Sequence, residues 1–462
     1  MTVRIITAHV LEGLAQLEDE SVHCVVTSPP YYGLRDYGIE PRVWGGDRNG
    51  CAHEWNGETV TAETSENVHW QHQTGGGGRN RFAKSGTSAD QARTFKTIGR
   101  GSCLHCSAWR GSLGLEPTLD LYLDHMVEVF CEVRRVLRKD GTVWLNIGDS
   151  YCASPAGNKT QTAFAAEKGG QYRSDNYRQD VRRNFGNLKP KDLMLIPSRL
   201  AIRLCDDGWW VRSDIAWCKK APMPESCTDR PTSAWEHVFL LTKSAKYFYD
   251  AEAVKEDSEY PDDNRKARQR PEDYAAMMGP GGQIRAAINP ANAQTYPKRN
   301  LRNFWLLGPE PFPEAHFATF PTEIPRRAIL AGTSERGVCP KCGAPWERVT
   351  ARAKQPTAYA AVKYDESDPR FRTKRNMGQR YQDEANANPV ETIGWRPTCS
   401  CAAGDPVPAT CCDPFLGAGT TALVADRLGR HCIGIELSPQ YAEMSERRLL
   451  DDAGMFAEIA AQ

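Results

Sequence analysis

Apolar residues in this chain fall in short blocks, separated by long polar tracts. Residues 3–6 read as a strand, and Leu11, Leu14 and Leu17 follow at helical spacing. A second apolar run, Val22-His23-Cys24-Val25-Val26, predicts a buried strand. From residue 39 to about 115 the pattern breaks, with Gly75-Gly76-Gly77-Gly78 and few apolar runs, which predicts an insertion. Leu121, Met126, Val129, Phe130, Val133, Val136 and Leu137 then mark a long amphipathic helix, ended by Lys139-Asp140-Gly141. A strand at 142–147, a polar loop at 152–187, a helix at 193–204 and a strand at 209–217 follow. Residues 235–242 and 247–249 predict a closing pair of strands. After a polar stretch at 255–300, order returns at 304–307 and 316–330, and a second insertion covers 337–408. The last piece is tight: strand 410–412, loop 413–419, helix to 428, strand 432–436, helix from 439.

With 462 residues, the chain can form one large α/β domain with insertions, or two domains. Lys+Arg and Asp+Glu both number 58, so the formal net charge is zero and any basic surface must be local. No apolar run has the length of a signal sequence or a membrane span, which predicts a cytoplasmic protein and no membrane partner. Sixteen cysteines in that setting predict reduced thiols and metal sites rather than disulfides.

The apolar strand at 22–26 runs directly into Thr27-Ser28-Pro29-Pro30-Tyr31-Tyr32-Gly33. Two prolines stop the ladder, since neither nitrogen can donate, and they hold the chain extended with carbonyls turned outward. A hydroxyl precedes them and two phenols follow. Such a set can hold a flat ring bearing an amino group, with acceptors at its edge and a phenol against its face. A Pro-rich strand end is the bland alternative.

This stretch resembles motif IV of the DNA amino-methyltransferases, where Ser/Asp/Asn-Pro-Pro-Tyr/Phe is matched by Ser28, Pro29, Pro30 and Tyr31. The resemblance implies catalysis by these four residues. It also implies a target base flipped out of double-stranded DNA and stacked on Tyr31.

A second motif supports the same family. Asp413-Pro414-Phe415-Leu416-Gly417-Ala418-Gly419-Thr420-Thr421 follows a strand and opens a helix, and its glycines let the backbone pass close to a ligand. It lacks the third glycine of a dinucleotide fingerprint and resembles motif I, which binds S-adenosylmethionine. The resemblance implies cofactor binding by Asp413, Phe415, Gly417, Gly419 and Thr420. Glu436 ends the next strand, where an acid can accept ribose hydroxyls. His316-Phe317-Ala318-Thr319-Phe320-Pro321 resembles motif X, adding Thr319 and Phe320 to the cofactor set. Residues 141–151 and 212–242 resemble motifs VI and VIII. One departure is visible: Ala8-His9 stand where members often carry Gly-Asp.

Motif IV precedes motif I, an order that defines the circularly permuted β group. The implied fold is α/β, a doubly wound, Rossmann-like methyltransferase sheet, circularly permuted, with two cysteine-containing insertions. The expected segments are core at 1–38, insertion at 39–115, core at 116–250, target recognition at 251–302, core at 303–336, a zinc-ribbon-like insertion at 337–408 and cofactor-binding core at 409–462. Within the recognition segment, Arg265, Lys266, Arg268, Arg270, Lys298 and Arg299 are the candidate DNA contacts.

The insertions carry their own chemistry. Cys339 and Cys342 form a knuckle followed by Gly343, and Cys399 and Cys401 would complete a structural zinc site. Cys103 and Cys106, with Cys51 and His53, form a second candidate. Cys24, Cys411 and Cys412 lie on apolar strands and read as packing residues.

Ser28 favours cytosine N4 over adenine N6, because adenine members mostly carry Asp or Asn there. The absence of any Pro-Cys dipeptide argues against ring-carbon methylation. Two other readings remain open: an adenine-N6 enzyme, and a zinc-ribbon nucleic-acid-binding protein with an inactive core. A cognate restriction endonuclease is a possible partner, and oligomeric state is not legible.

Overall fold

The computed structural model describes residues 2–33, 41–46, 50–56, 59–63, 95–99, 101–152, 187–258, 268–269, 287–288, 298–310, 319–352, 390–453 and 458–461. It divides into two compact units. The first comprises Met1–Ser28, Glu132–Asn146 and Gly208–Gln462, and the second Pro29–Cys131 and Ile147–Asp207.

A nine-stranded sheet organises the first unit. Its strands are β1 (Thr2–Thr7), β2 (Val22–Thr27), β3 (Leu137–Ile147), β4 (Trp210–Lys219), β5 (Trp235–Thr242), β6 (Phe304–Leu307), β7 (Thr410–Asp413), β8 (His431–Glu436) and β9 (Glu458–Ala461). Their order is β6-β4-β5-β3-β2-β7-β8-β1-β9. The run from β3 to β9 is parallel throughout, while β4 and β5 pair antiparallel. Near-continuous apolar runs such as Val22–Thr27 suit a parallel sheet covered on both faces.

Helices supply that cover: α1 (Val10–Ala15), α2 (Glu323–Gly332), α3 (Thr420–Arg427) and α4 (Pro439–Ala453). Cys24, Val26 and Trp144 join one buried cluster with Ile324, Ala328 and Ile329 of α2 and Leu423 of α3. Val25 and Val143, also buried, alternate to the opposite face. There α1 packs so closely that a Cβ on Gly13 would lie 2.6 Å from the Ile435 side chain. Arg135 locks the end of α1 by donating to the Leu14 and Leu17 carbonyls. Cys24, Cys411, Cys412 and Cys432 are fully enclosed packing residues, as their apolar neighbours require.

In the second unit, the short strands Arg42–Trp44, Trp109–Gly111 and Gly101–Ser102 make a three-stranded antiparallel sheet. Thr59–Glu63 pairs antiparallel with Phe95–Gly99. Helix Ile196–Asp206 is started by Asp149, whose Oδ1 accepts the Ile196 N–H at 3.0 Å.

Two local expectations are corrected. Helix Leu119–Val136 ends at Val136, and Lys139-Asp140-Gly141 belongs to β3, because pairing with β2 already begins at Leu137. Residues 247–249 form no strand; the partner of β5 is β4, and the Tyr247 and Tyr249 rings pack against the core. Of the motif X stretch, Thr319, Phe320 and Pro321 precede helix Glu323–Gly332, while His316, Phe317 and Ala318 lie outside the described residues. The loop read at 152–187 and Gly75 to Gly78 also lie largely or wholly outside them.

Candidate active site

Strands β2 and β7 are parallel neighbours, with Cys24 opposite Cys411 and Val25 opposite Cys412. Beyond β2 the chain crosses to β3 on one side, and beyond β7 it crosses to β8 on the other. The crevice beyond their carboxyl ends is therefore a topological switch point, where open α/β sheets bind ligands. Thr27-Ser28 leave β2 at this edge, and the loop from Asp413 leaves β7 beside them.

A sealed carboxylate ties the two exits together. Asp413 is 1% exposed; its Oδ1 accepts from Thr27 Oγ1 and its Oδ2 from Thr421 Oγ1, both at 2.7 Å. The Phe415 N–H donates to Oδ1 at 3.0 Å. Burial pushes this carboxyl up to about 6, against the pull of those donors. Asp413 thus shapes the loop and presents no surface to a ligand. Neither Thr27 nor Thr421 was assigned a role from sequence. A Thr on each side of a buried Asp is the signal that could have found them.

The two glycines differ. Gly417 has φ +54°, and a Cβ there would meet no other atom closer than the Phe415 carbonyl oxygen at 4.0 Å. Gly419 has φ +75°, and a Cβ there would press within 3.0 Å of Ser445 Cβ on α4. Gly417 therefore faces open space, as a ligand-binding glycine should. Gly419 lets α4 approach. Helix α4 also fixes the loop's carbonyls: Ser445 Oγ donates to Gly417 O at 2.7 Å, and Arg448 Nη1 to Ala418 O at 2.9 Å. Arg448 Nη1 also donates to Thr420 Oγ1 at 2.9 Å, so the Thr420 hydroxyl belongs to this packing.

Glu436, partly exposed at the end of β8, accepts the Gly417 N–H on Oε2 and the Ser438 N–H on Oε1, each at 2.8 Å. Burial raises its carboxyl to about 7, opposed by those two donors. Phe415, Gly417 and Glu436 are the partly exposed members of the predicted cofactor set on this loop and strand. Thr319 and Phe320 are also partly exposed, with Phe320 against the core cluster.

Past Ser28 the chain enters the second unit. Tyr31 is partly exposed and Tyr32 fully buried. The Pro30 carbonyl is not turned outward as expected. It accepts the Tyr122 hydroxyl at 3.0 Å.

Each unit holds a four-ligand cluster. Cys339, Cys342, Cys399 and Cys401 bring their Sγ atoms within 4.8 Å of one another, and so do the ligand atoms of Cys51, His53, Cys103 and Cys106. The Cys51 and Cys103 sulfurs are 3.7 Å apart, and Cys106 Sγ lies 3.4 Å from His53 Nδ1. Tetrahedral zinc with bonds of about 2.0–2.3 Å spaces its ligands by about 3.3–3.8 Å, so both sets fit. The N–H groups of Cys342 and Lys341 point at Cys339 and lower its thiol to about 7. Ladders join the distant half-sites. Trp346–Arg352 pairs with Val390–Pro397, and Trp55 bridges Cys103. The Cys339–Cys342 knuckle is fastened to the sheet: His23 Nε2 meets Gly343 O at 3.0 Å and Arg138 Nη1 donates to Cys342 O at 2.7 Å. Gly343 has φ +69°, the tight bend expected of it.

Of the six cations in the expected recognition segment, Lys298 pairs with Asp257 at 2.6 Å and Arg299 with Glu256 at 3.6 Å. Arg268 lies in a two-residue ladder, and Arg265, Lys266 and Arg270 lie outside the described residues.

The N6/N4 DNA methylase family model matches residues 22–339 and 406–447. Type II methyltransferase M.Cfr9I of Citrobacter freundii is 29% identical over 451 residues, covering 98% of this chain and 89% of the relative. Type II methyltransferase M.SmaI of Serratia marcescens is 28% identical, covering 97% and 90%. Among solved structures, the PvuII DNA methyltransferase (cytosine-N4-specific) aligns at 13% identity with a TM-score of 0.43, over 100% of this chain and 95% of that one. The chain belongs to the N6/N4 DNA methylase family, the DNA amino-methyltransferases.

Proposed function

We propose that the protein transfers a methyl group from S-adenosylmethionine to the exocyclic N4 of cytosine in duplex DNA. The observation that carries this reading is the hydrogen-bonded junction of Thr27 with Asp413, which sets the Ser28 strand end beside the Gly417 loop at the switch point. In this reading Gly417 and Phe415 border the cofactor, and Glu436 accepts its ribose hydroxyls. When bound, S-adenosylmethionine supplies an electrophilic methyl on a sulfonium sulfur.

The chain's own task is to make a poor nucleophile competent. An exocyclic amine delocalises its lone pair into the ring. Acceptors on its N–H bonds, the Ser28 hydroxyl and the Pro29 carbonyl, favour the pyramidal nitrogen and stabilise the charge it develops. Tyr31 offers a face for the extruded base, which cannot be reached inside the stack. The β-group permutation is part of this reading, supported by β2 lying next to β7 although some 385 residues separate them in sequence. So are zinc in each four-ligand cluster, a cytoplasmic setting consistent with sixteen free thiols, and pairing with a cognate endonuclease. Among the described residues no helix is long and apolar enough to cross a membrane.

The test is product analysis. Unmodified bacterial DNA is incubated with the protein and labelled S-adenosylmethionine, hydrolysed, and its nucleosides resolved. N4-methylcytosine is expected. N6-methyladenine as the only product would move the target to adenine, and no labelled nucleoside would leave a nucleic-acid-binding protein with an inactive core.

A further inference from the structure

The loop that carries Pro29, Pro30 and Tyr31 is braced by groups that the chemistry does not touch. Tyr122, on helix Leu119–Val136, is fully enclosed, and its hydroxyl donates to the Pro30 carbonyl at 3.0 Å. Its ring lies against Tyr32, with centroids 5.4 Å apart. Just beyond, the Gly33 N–H donates to Gly114 O at 2.7 Å. Gly114 sits at φ +91°, where a Cβ would fall 2.9 Å from the Tyr31 carbonyl oxygen, so this turn is pressed directly on the loop.

Behind Gly114 stands a buried pair. The Gly114 N–H donates to Glu116 Oε2 at 2.8 Å, and Glu116 Oε1 meets His125 Nδ1 at 3.0 Å. Glu116 is 0% and His125 3% exposed. The His125 ring stacks on Trp44 and Trp109, with centroids 5.2 and 5.5 Å away. Polar groups enclosed this way are costly unless each is satisfied, and satisfied networks rigidify what they hold.

We propose that Tyr122, backed by the Glu116–His125 pair, is the positioning residue of the catalytic loop. By holding the Pro30 carbonyl inward, it leaves the acceptor role at the base to the Pro29 carbonyl and the Ser28 hydroxyl. This rests on the methyl-transfer reading above. Tyr122 touches neither base nor cofactor in this scheme; it acts through Pro30.

Tyr122→Phe removes one oxygen and keeps the ring that packs on Tyr32. Hydrogen exchange read by mass spectrometry should show the amides of Tyr31, Tyr32 and Gly33 exchanging at least about tenfold faster, with residues 410–436 unchanged. Transfer of labelled methyl to unmodified bacterial DNA should fall about tenfold in kcat, the order expected for one lost hydrogen bond, with KM for S-adenosylmethionine unchanged. Unchanged exchange in the loop overturns the proposal. So does wild-type kcat in the variant, or a parallel loss of cofactor affinity and exchange protection throughout, which would mark a merely structural role. If the wild-type protein itself methylates no DNA, the methyl-transfer reading fails, and Tyr122 has no reaction to position for. An active wild type with an equally active Tyr122→Phe variant fails this inference alone.

Discussion

Gly417 and Gly419 are two residues apart, share a left-handed backbone and meet different surroundings, so the same substitution separates ligand space from packing space. An Ala at either position forces a side chain into the left-handed region, at about 1–2 kcal/mol. At Gly417 nothing further is lost within the protein, since the new Cβ has one neighbour at 4.0 Å. At Gly419 the Cβ meets Ser445 Cβ at 3.0 Å, Oγ at 3.1 Å and Cα at 3.3 Å, and only a shift of α4 relieves the crowding. Overpacking of this kind adds about 1–3 kcal/mol. Urea denaturation should therefore show Gly417→Ala losing about 1–2 kcal/mol and Gly419→Ala about 2–5 kcal/mol. Calorimetric titration with S-adenosylmethionine should show the reverse emphasis, with Gly417→Ala losing at least about tenfold in affinity, or about 1.4 kcal/mol. A folded Gly417→Ala protein that binds S-adenosylmethionine like the wild type would refute the placement of the cofactor over this loop.

Three further outcomes are expected. Thr421→Val keeps the shape of the side chain and removes a donor to the sealed Asp413 carboxylate, so the urea midpoint should drop by the equivalent of about 1.5–3 kcal/mol; an unchanged midpoint would contradict the buried triad. Elemental analysis should find two zinc ions per chain, and one in the Cys399→Ser/Cys401→Ser variant; a metal-free wild type purified without chelator would remove both sites. Glu436 is held up to about 7, so the cofactor-free protein carries a largely protonated carboxyl below neutrality. Its contribution to stability is complete below the ordinary carboxylate range and is lost as pH rises through about 7. Ribose hydroxyls donate best to the ionised form, so affinity for S-adenosylmethionine should rise between pH 6 and 8, by up to about tenfold per unit below 7; a flat profile would exclude Glu436 as the ribose acceptor.

The strands that build the sheet's centre were legible because burial on both faces writes itself as an unbroken apolar run, as in 22–26. The two knuckles were legible because thiolate spacing is a local property. What escaped was decided at long range. Thr27 looked like the first residue past a strand, and only the arrival of Asp413 gives its hydroxyl a partner. Gly419 has the same local signature as Gly417, and the difference lies in Ser445, far along the chain. Pro30 was expected to show its carbonyl because two prolines hold the chain extended; Tyr122 claims that oxygen from a helix beyond the insertion. Tyr247 and Tyr249 alternate like a strand, yet β5 takes its hydrogen bonds from β3 and β4, leaving those rings to pack instead.

The pairing of β2 with β7 also sets a timetable. During synthesis Val22–Thr27 leaves the ribosome early, yet the strand on one of its sides is Thr410–Asp413. At about 5–20 residues per second, roughly 20–80 s pass before that neighbour exists. Until then one edge of β2 lacks its partner and β1 lacks β8, which leaves apolar edges open to wrong pairing. If the cofactor sits over the loop after Asp413, as proposed, the chain cannot modify DNA before that loop has been made.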